Sequence, residues 1–285
     1  MRTPLNAQPS GIAIADFDED GANDLAVAGY LGGLLTLRGH LTAGVPDGTF
    51  EAPVTVPVSA QTRQVIVGDF NEDGIWDLAT TASGLKVLLG QGAGGVGNGT
   101  FAAAASYNAG GTPWDLASAD FNLDGIADLA VANSGASSVS MFLGAGAAGV
   151  GNGTFPISGT SVSVNANPRG LVVADWNGDG VPDIAVANSS TTAKTMSMLT
   201  GKGDGTFNAA VTSAANTKAW ALALGDLNGD TGADLAVLNN GTNTATVWRS
   251  GCTANVVLSV SAPVGGETWI ATQQRAITWS LTPSV

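Results

Sequence analysis

The sequence contains one cysteine, Cys252, and one histidine, His40. A lone thiol excludes an internal disulfide framework, and one Cys with one His cannot build a zinc cluster. Positive charge is equally scarce: 10 Lys and Arg stand against 23 Asp and Glu, a net charge of −13. A chain of that sign repels nucleic-acid backbones and anionic membranes, so neither is an expected partner. No apolar run approaches the length of a membrane span, and Met1–Pro9 holds no hydrophobic stretch of the signal-peptide kind. Charged residues are only 12% and aromatics 6%, yet apolar residues reach 44%, which argues against disorder.

What the chain has instead is glycine, 40 of 285 residues, and a repeat. Five nine-residue segments align without gaps: Asp16-Phe-Asp-Glu-Asp-Gly-Ala-Asn-Asp24, Asp69-Phe-Asn-Glu-Asp-Gly-Ile-Trp-Asp77, Asp120-Phe-Asn-Leu-Asp-Gly-Ile-Ala-Asp128, Asp175-Trp-Asn-Gly-Asp-Gly-Val-Pro-Asp183 and Asp226-Leu-Asn-Gly-Asp-Thr-Gly-Ala-Asp234. Their starts lie 53, 51, 55 and 51 residues apart. A short apolar stretch precedes each segment and another follows, as in Leu25-Ala-Val-Ala and Leu129-Ala-Val-Ala. Four units then carry a turn ending Gly-Thr-Phe, at Phe50, Phe101, Phe155 and Phe207. Runs of four or five apolar residues bounded by Gly, Asn and Asp predict strands buried on both faces. Four strands in about fifty residues predict a propeller blade, so the fold expected is all-β with five visible four-stranded blades.

The Asp segments have the chemistry of cation loops. Calcium takes six to eight oxygen ligands, and carboxylates at alternate positions of a curled loop converge on one point. Positions 1, 3, 5 and 9 supply side chains and position 7 a carbonyl. The expected ligand sets are Asp16, Asp18, Asp20, Ala22 and Asp24; Asp69, Asn71, Asp73, Ile75 and Asp77; Asp120, Asn122, Asp124, Ile126 and Asp128; Asp175, Asn177, Asp179, Val181 and Asp183; and Asp226, Asn228, Asp230, Gly232 and Asp234. An EF-hand opens in the same way but ends in a Glu at position 12; here that position is Val27, Thr80, Val131, Val186 and Val237, which excludes it. Eighteen of the 23 acidic residues lie in the five loops, so five bound Ca²⁺ would bring the net charge from −13 to −3. The cofactor expected is structural Ca²⁺, up to five ions. Thr231 takes the place of the position-6 glycine in loop five, where a β-branched residue resists positive φ, and predicts the weakest site there.

These residues resemble the FG-GAP/VCBS repeat family, the calcium-loop blades also found in integrin α-subunit heads and in many secreted bacterial proteins. The resemblance runs from about residue 10 to 250 and rests on Asp-x-Asp/Asn-x-Asp-Gly-x-x-Asp followed by Leu/Ile-Ala-Val. It implies an extracellular or cell-surface propeller, usually seven-bladed, with calcium between the first two strands of each blade. The five blades are then a fragment of such a propeller or a closed five-bladed ring. Residues 1–251 are assigned to the blades. Residues 252–285, with Glu267-Thr-Trp269 and Ile277-Thr-Trp279, are similar to the opening of an Ig-like β-sandwich domain. Both ends look cut, which implies a larger multidomain secreted protein lacking its signal peptide here.

Six residues before each loop, the repeat position is held by Ser10, Arg63, Trp114, Arg169 and Trp220. In a propeller these cluster around the axis, opposite the Asp loops. Trp and Arg are enriched at binding hot spots, so Arg63, Trp114, Arg169 and Trp220 are the candidate ligand residues, for an extracellular glycan or protein. A catalytic site is not expected. Outside the loops only Asp47, Glu51, Asp115, Asp204 and Glu267 remain, without the opposed carboxylate pair of a glycosidase or a Ser–His–Asp set. The function expected is an adhesion or ligand-binding module; the alternatives are a calcium-stiffened spacer or an accessory domain of a secreted polysaccharide-degrading enzyme.

Overall fold

The computed structural model describes residues 5, 8–59, 61–156, 160–191, 195–214, 218–227, 229–249, 256–260 and 279–283. Every regular element among them is a strand. Blade one runs β1 (Pro9–Ala15), β2 (Asp24–Gly29), β3 (Gly33–Leu37), a hairpin of β4 (Gly39–Thr42) and β5 (Val45–Phe50), and β6 (Val54–Val56). Blade two repeats this with β7 (Val65–Gly68), β8 (Asp77–Ala82), β9 (Gly84–Leu88), hairpin β10 (Gly90–Ala93) and β11 (Val96–Phe101), and β12 (Ala105–Tyr107). Blade three follows with β13 (Pro113–Ala119), β14 (Asp128–Asn133), β15 (Ser138–Phe142), hairpin β16 (Ala145–Ala147) and β17 (Val150–Thr154), and β18 (Ser161–Ser163). Blade four has β19 (Pro168–Ala174), β20 (Asp183–Asn188), β21 (Thr195–Leu199) and β22 (Val211–Ala214), its hairpin reduced to a bridge between Gly201 and Phe207. Blade five has β23 (Ala219–Gly225), β24 (Asp234–Asn239), β25 (Thr244–Trp248), β26 (Val256–Val260) and β27 (Trp279–Pro283).

Each blade is an antiparallel sheet whose strand order follows the chain, β1-β2-β3-β6 in the first, with each hairpin a separate two-stranded ribbon. The expected four strands per blade are therefore present. Blade five is five-stranded: β26 pairs with β25, and β27 with β26. These two strands are the described part of the segment compared with an Ig-like domain; the rest of that segment lies outside the described residues. So does Met1–Pro4, while Leu5 packs against Val27, Leu35 and Leu37 of blade one.

The second strands of blades two to four, with Leu-Ala-Thr, Leu-Ala-Val and Ile-Ala-Val, are buried along both faces, since a blade lies on each side. Innermost strands pack in chain order, β1 on β7, β7 on β13, β13 on β19 and β19 on β23. Four hydrophobic clusters are joints between successive blades, and a fifth lies on the outer side of blade one with Leu5. The joint of blades two and three joins Phe70, Ala79, Leu85 and Val87 to Leu116, Leu129, Val131, Phe142 and Phe155. Phe17, Phe70 and Phe121, at loop position 2, are buried. Each meets the Gly-Thr-Phe phenyl ring of the next blade edge-to-face: Phe17 with Phe101 at 5.4 Å, Phe70 with Phe155 at 5.9 Å and Phe121 with Phe207 at 5.7 Å.

A backbone clasp accompanies each phenyl pair. The hairpin of one blade folds over the Asp loop of the blade before it, so that Gly99 N–H donates to the Phe17 carbonyl (2.9 Å), Gly153 N–H to Phe70 (2.9 Å) and Gly205 N–H to Phe121 (3.0 Å). Glu19 and Glu72, at loop position 4, accept from Gly97 N–H (3.2 Å) and Gly151 N–H (2.9 Å) of the same hairpins. The approach requires glycine, because a Cβ at Gly97 or Gly151 would collide with the Phe17 or Phe70 carbonyl. Blade one has Pro46 at the corresponding hairpin position, which supplies no N–H for such a bond.

Candidate functional site

Each Asp loop sits between the first two strands of its blade and folds on its own hydrogen bonds. In loop two, Asp69 accepts from Asp73 N–H (3.1 Å) and Gly74 N–H (2.9 Å), and Asp73 accepts from Ile75 N–H (2.9 Å). Asp77 at position 9 accepts from Phe70 N–H (2.8 Å) and from Gly90 N–H (2.7 Å), so one carboxylate closes the loop and ties down the start of the hairpin. Asp24, Asp128 and Asp183 do the same in their blades. Burial raises the pKa of Asp77 and Asp128 to about 6, against the lowering effect of those N–H donors; Asp24 and Asp183 move the same way.

Two positions in every loop are left-handed. Position 6 is Gly21, Gly74, Gly125 and Gly180 at φ of 81° to 95°, and Thr231 at 70°. Thr231 thus adopts the conformation its side chain opposes, and its N–H still reaches Asp226 at 3.0 Å. Position 4 is also left-handed, at Glu19, Glu72, Leu123, Gly178 and Gly229. That second turn had no sequence signal, since five residues of three types fill it.

Loop one fits a cation. Asp16, Asp18 and Asp24 each offer an oxygen within 4.8 Å of the others, a spread that one ion with bonds of about 2.3–2.6 Å spans. Asp18 Oδ1 is buried without a hydrogen-bond partner, while its Oδ2 lies 3.2 Å from Arg38. Burial first, then the neighbouring Asp20 charge, raises the Asp18 pKa, the penalty a bound cation would relieve. In loops two, three and four the position-3 amide donates to the position-5 carboxylate, Asn71 to Asp73, Asn122 to Asp124 and Asn177 to Asp179. The Asn oxygen meanwhile accepts from the position-5 N–H, at 3.4, 3.1 and 2.9 Å, and is the atom that a cation would take up. Asn228 of loop five lies outside the described residues.

At the other end of the inner strands the candidate ligand residues come together. Arg63 Cζ lies 3.9 Å from the Trp114 ring centroid and 4.9 Å from that of Tyr30; Arg169 Cζ lies 3.7 Å from Trp114 and 4.2 Å from Trp220. Trp114 and Trp220 meet edge-to-face at 6.1 Å. Each cation–π contact is worth about 0.5–2 kcal/mol. Trp114, Arg169 and Trp220 all occupy β-bulges, where the register of the inner strand skips one residue between Pro113 and Asp115, Pro168 and Gly170, and Ala219 and Ala221. A bulge re-aims the residue it carries, which explains how three successive blades deliver side chains to the stack; Arg63 joins them from the segment just before β7. Ser10 holds the same bulge in blade one but bonds the Ala28 and Thr62 carbonyls instead, and Tyr30, outside the repeat pattern, takes its place in the stack.

A family model for FG-GAP-like repeats matches residues 16–80, 120–186 and 182–237, more than half of the chain. The chain belongs to the FG-GAP-like repeat family. Among solved structures, a functionally unknown protein from Desulfotomaculum acetoxidans is similar over 98% of this chain and 70% of its own, at 13% identity and a TM-score of 0.55. The Dos1 propeller is similar over 86% of this chain and 58% of its own, at 12% identity and a TM-score of 0.51. Likeness at that level bears on fold, and the fold is a β-propeller. No curated protein matches the sequence.

The remaining candidates of this FG-GAP-like chain have structural employment. Asp115 accepts from Leu116 N–H and, across the joint, from Leu171 N–H, both at 2.9 Å; burial raises its pKa to about 6. His40 Nδ1 lies 2.8 Å from Asp47 Oδ2 on the exposed hairpin of blade one. Asp47 also accepts from Thr42 and Thr49, bonds that hold its pKa well below the usual carboxylate range, as Thr206 does for Asp204 in blade four. Trp76 is 44% exposed at the tip of loop two. Cys252 lies outside the described residues.

Proposed function

We propose that this propeller is a non-catalytic, calcium-stiffened module of an extracellular or cell-surface protein, and that it holds a glycan or protein ligand on its arginine–aromatic stack. The observation that carries the reading is the division of the repeat into two chemically distinct ends. Every inner strand ends in a carboxylate loop, and four blades send cations and aromatic rings to the opposite end. Calcium belongs to the first end on the strength of the buried, unpartnered Asp18 oxygen and the three converging carboxylates of loop one. At about 1 mM calcium and a dissociation constant near 10⁻⁴ M, each filled loop adds roughly 1.4 kcal/mol. Five loops then contribute about 7 kcal/mol, on the scale of a whole domain's stability.

The test is a thermal melt in millimolar calcium against excess chelator. A fall of tens of degrees without calcium is the expected result. An unchanged melt would reduce the Asp loops to self-bonded turns and remove the calcium half of the proposal.

A further inference from the structure

We infer that the arginine–aromatic stack binds an acidic glycan, a chain of uronic-acid type whose carboxylates meet Arg63 and Arg169 while a sugar face lies on Trp220; this rests on the stack being the ligand face proposed above. Among the described residues, neither guanidinium has a hydrogen bond or a carboxylate partner. Arg169 Nε is buried and unsatisfied. Eighteen of the 23 carboxylates lie in the Asp loops at the opposite end, and no described one of the remaining five pairs with either arginine. Aromatic rings cover their faces instead. A guanidinium satisfied on its face keeps its five N–H donors in the plane, where a carboxylate is accepted in a two-pronged fork.

Two features favour an acid over a neutral ligand. Arg63 and Arg169 both lie against Trp114, so two like charges are held near one indole with no anion between them. Desolvation and the Arg63 charge together depress the pKa of Arg169, a tension that an arriving anion relieves. A glycan fits better than an acidic peptide because Trp220, in contact with Arg169, is 40% exposed. A sugar acid presents an apolar C–H face and a carboxylate on one rigid ring, matching an indole beside a guanidinium. A glutamate side chain presents the carboxylate without the face.

The experiment is calorimetric titration in millimolar calcium, comparing trigalacturonate, neutral galactotriose and a short oligoglutamate peptide. Trigalacturonate is expected to bind at least tenfold more tightly than either alternative. Arg63→Ala and Arg169→Ala should each weaken it about tenfold or more, and Arg169→Lys, which keeps charge and bulk but loses the fork, should weaken it by less. Trp220→Ala should reduce uronate binding while leaving any oligoglutamate binding unchanged. Equal binding of the neutral sugar would overturn the acid, tighter binding of oligoglutamate would overturn the glycan, and no binding by the folded wild type would overturn the inference outright. A melt of the same sample reports the calcium response separately. Should the alanine variants fail to fold, Arg169→Lys and the ligand comparison on the wild type still decide.

Discussion

Loops two and four share five of nine residues and most of their internal hydrogen bonds, but they sit in different surroundings. Phe70 of loop two is 2% exposed, paired with Phe155 and clasped through its carbonyl by Gly153, and Glu72 holds Gly151. Trp176 of loop four is half-buried against the cluster that joins blades four and five, its position 4 is Gly178, and the described residues of blade five lay no hairpin across it. Both position-9 carboxylates are buried, and burial raises both pKa values, that of Asp77 to about 6. The shared positions of a loop therefore dictate its shape, while the full burial of its position-2 ring is supplied by the hairpin of the blade that follows. Stability in such an array is a property of joints between neighbours.

Removing the phenyl ring at a clasped joint should cost most. Phe70→Ala is expected to lose about 3–5 kcal/mol in urea unfolding, the usual range for a buried aromatic, and Trp176→Ala clearly less. Equal losses would erase the distinction between the joints.

Next in size is a pH effect of opposite sign in two buffers. Folded Asp77 and Asp128 titrate near 6 and the unfolded groups near 3.8, so the folded state binds the extra protons. With chelator present, stability should rise as pH falls from about 6 towards 4 and stay flat above. With calcium present, protons compete for the same carboxylates and the melt should drop over that range. A melt that falls with acid in both buffers would mean that these carboxylates carry no burial penalty.

Gly48 and Gly153 occupy one repeat position at nearly the same φ, 75° and 72°. A Cβ at Gly48 meets open space, whereas at Gly153 it presses on Leu89 and Asn71. Gly48→Ala should cost about 1 kcal/mol for the backbone alone, and Gly153→Ala about 2–3 kcal/mol once overpacking is added. The smallest effect is a gain: Thr231→Gly should stabilise by about 1 kcal/mol by relieving a left-handed β-branched residue. Differential calorimetry in calcium would register it, and no gain would mean that the strain is met elsewhere.

Most of the blade structure was legible because its signals are side chains repeated in register: the Asp loops, the Leu-Ala-Val strands, and the phenyl rings at position 2 and in Gly-Thr-Phe. The clasps were not, since backbone N–H groups leave no residue signature beyond a glycine, and Glu19 meets Gly97 across 78 positions. The stack was half legible. The repeat pointed to Arg63, Trp114, Arg169 and Trp220, but Tyr30 has no counterpart in other blades, and the bulges that aim the stack are invisible in residues as different as Ser, Trp and Arg.

The forward direction of the clasp also sets a timetable. Glu19 leaves the ribosome 78 residues before the glycine that covers it, about 4–16 seconds at ordinary synthesis rates. Each loop is thus complete but uncovered until the following hairpin arrives, and the joints become able to close in order from first to last. A chain halted after any of the first four blades displays its newest loop with an aromatic ring uncovered, the state in which loop four is already partly held.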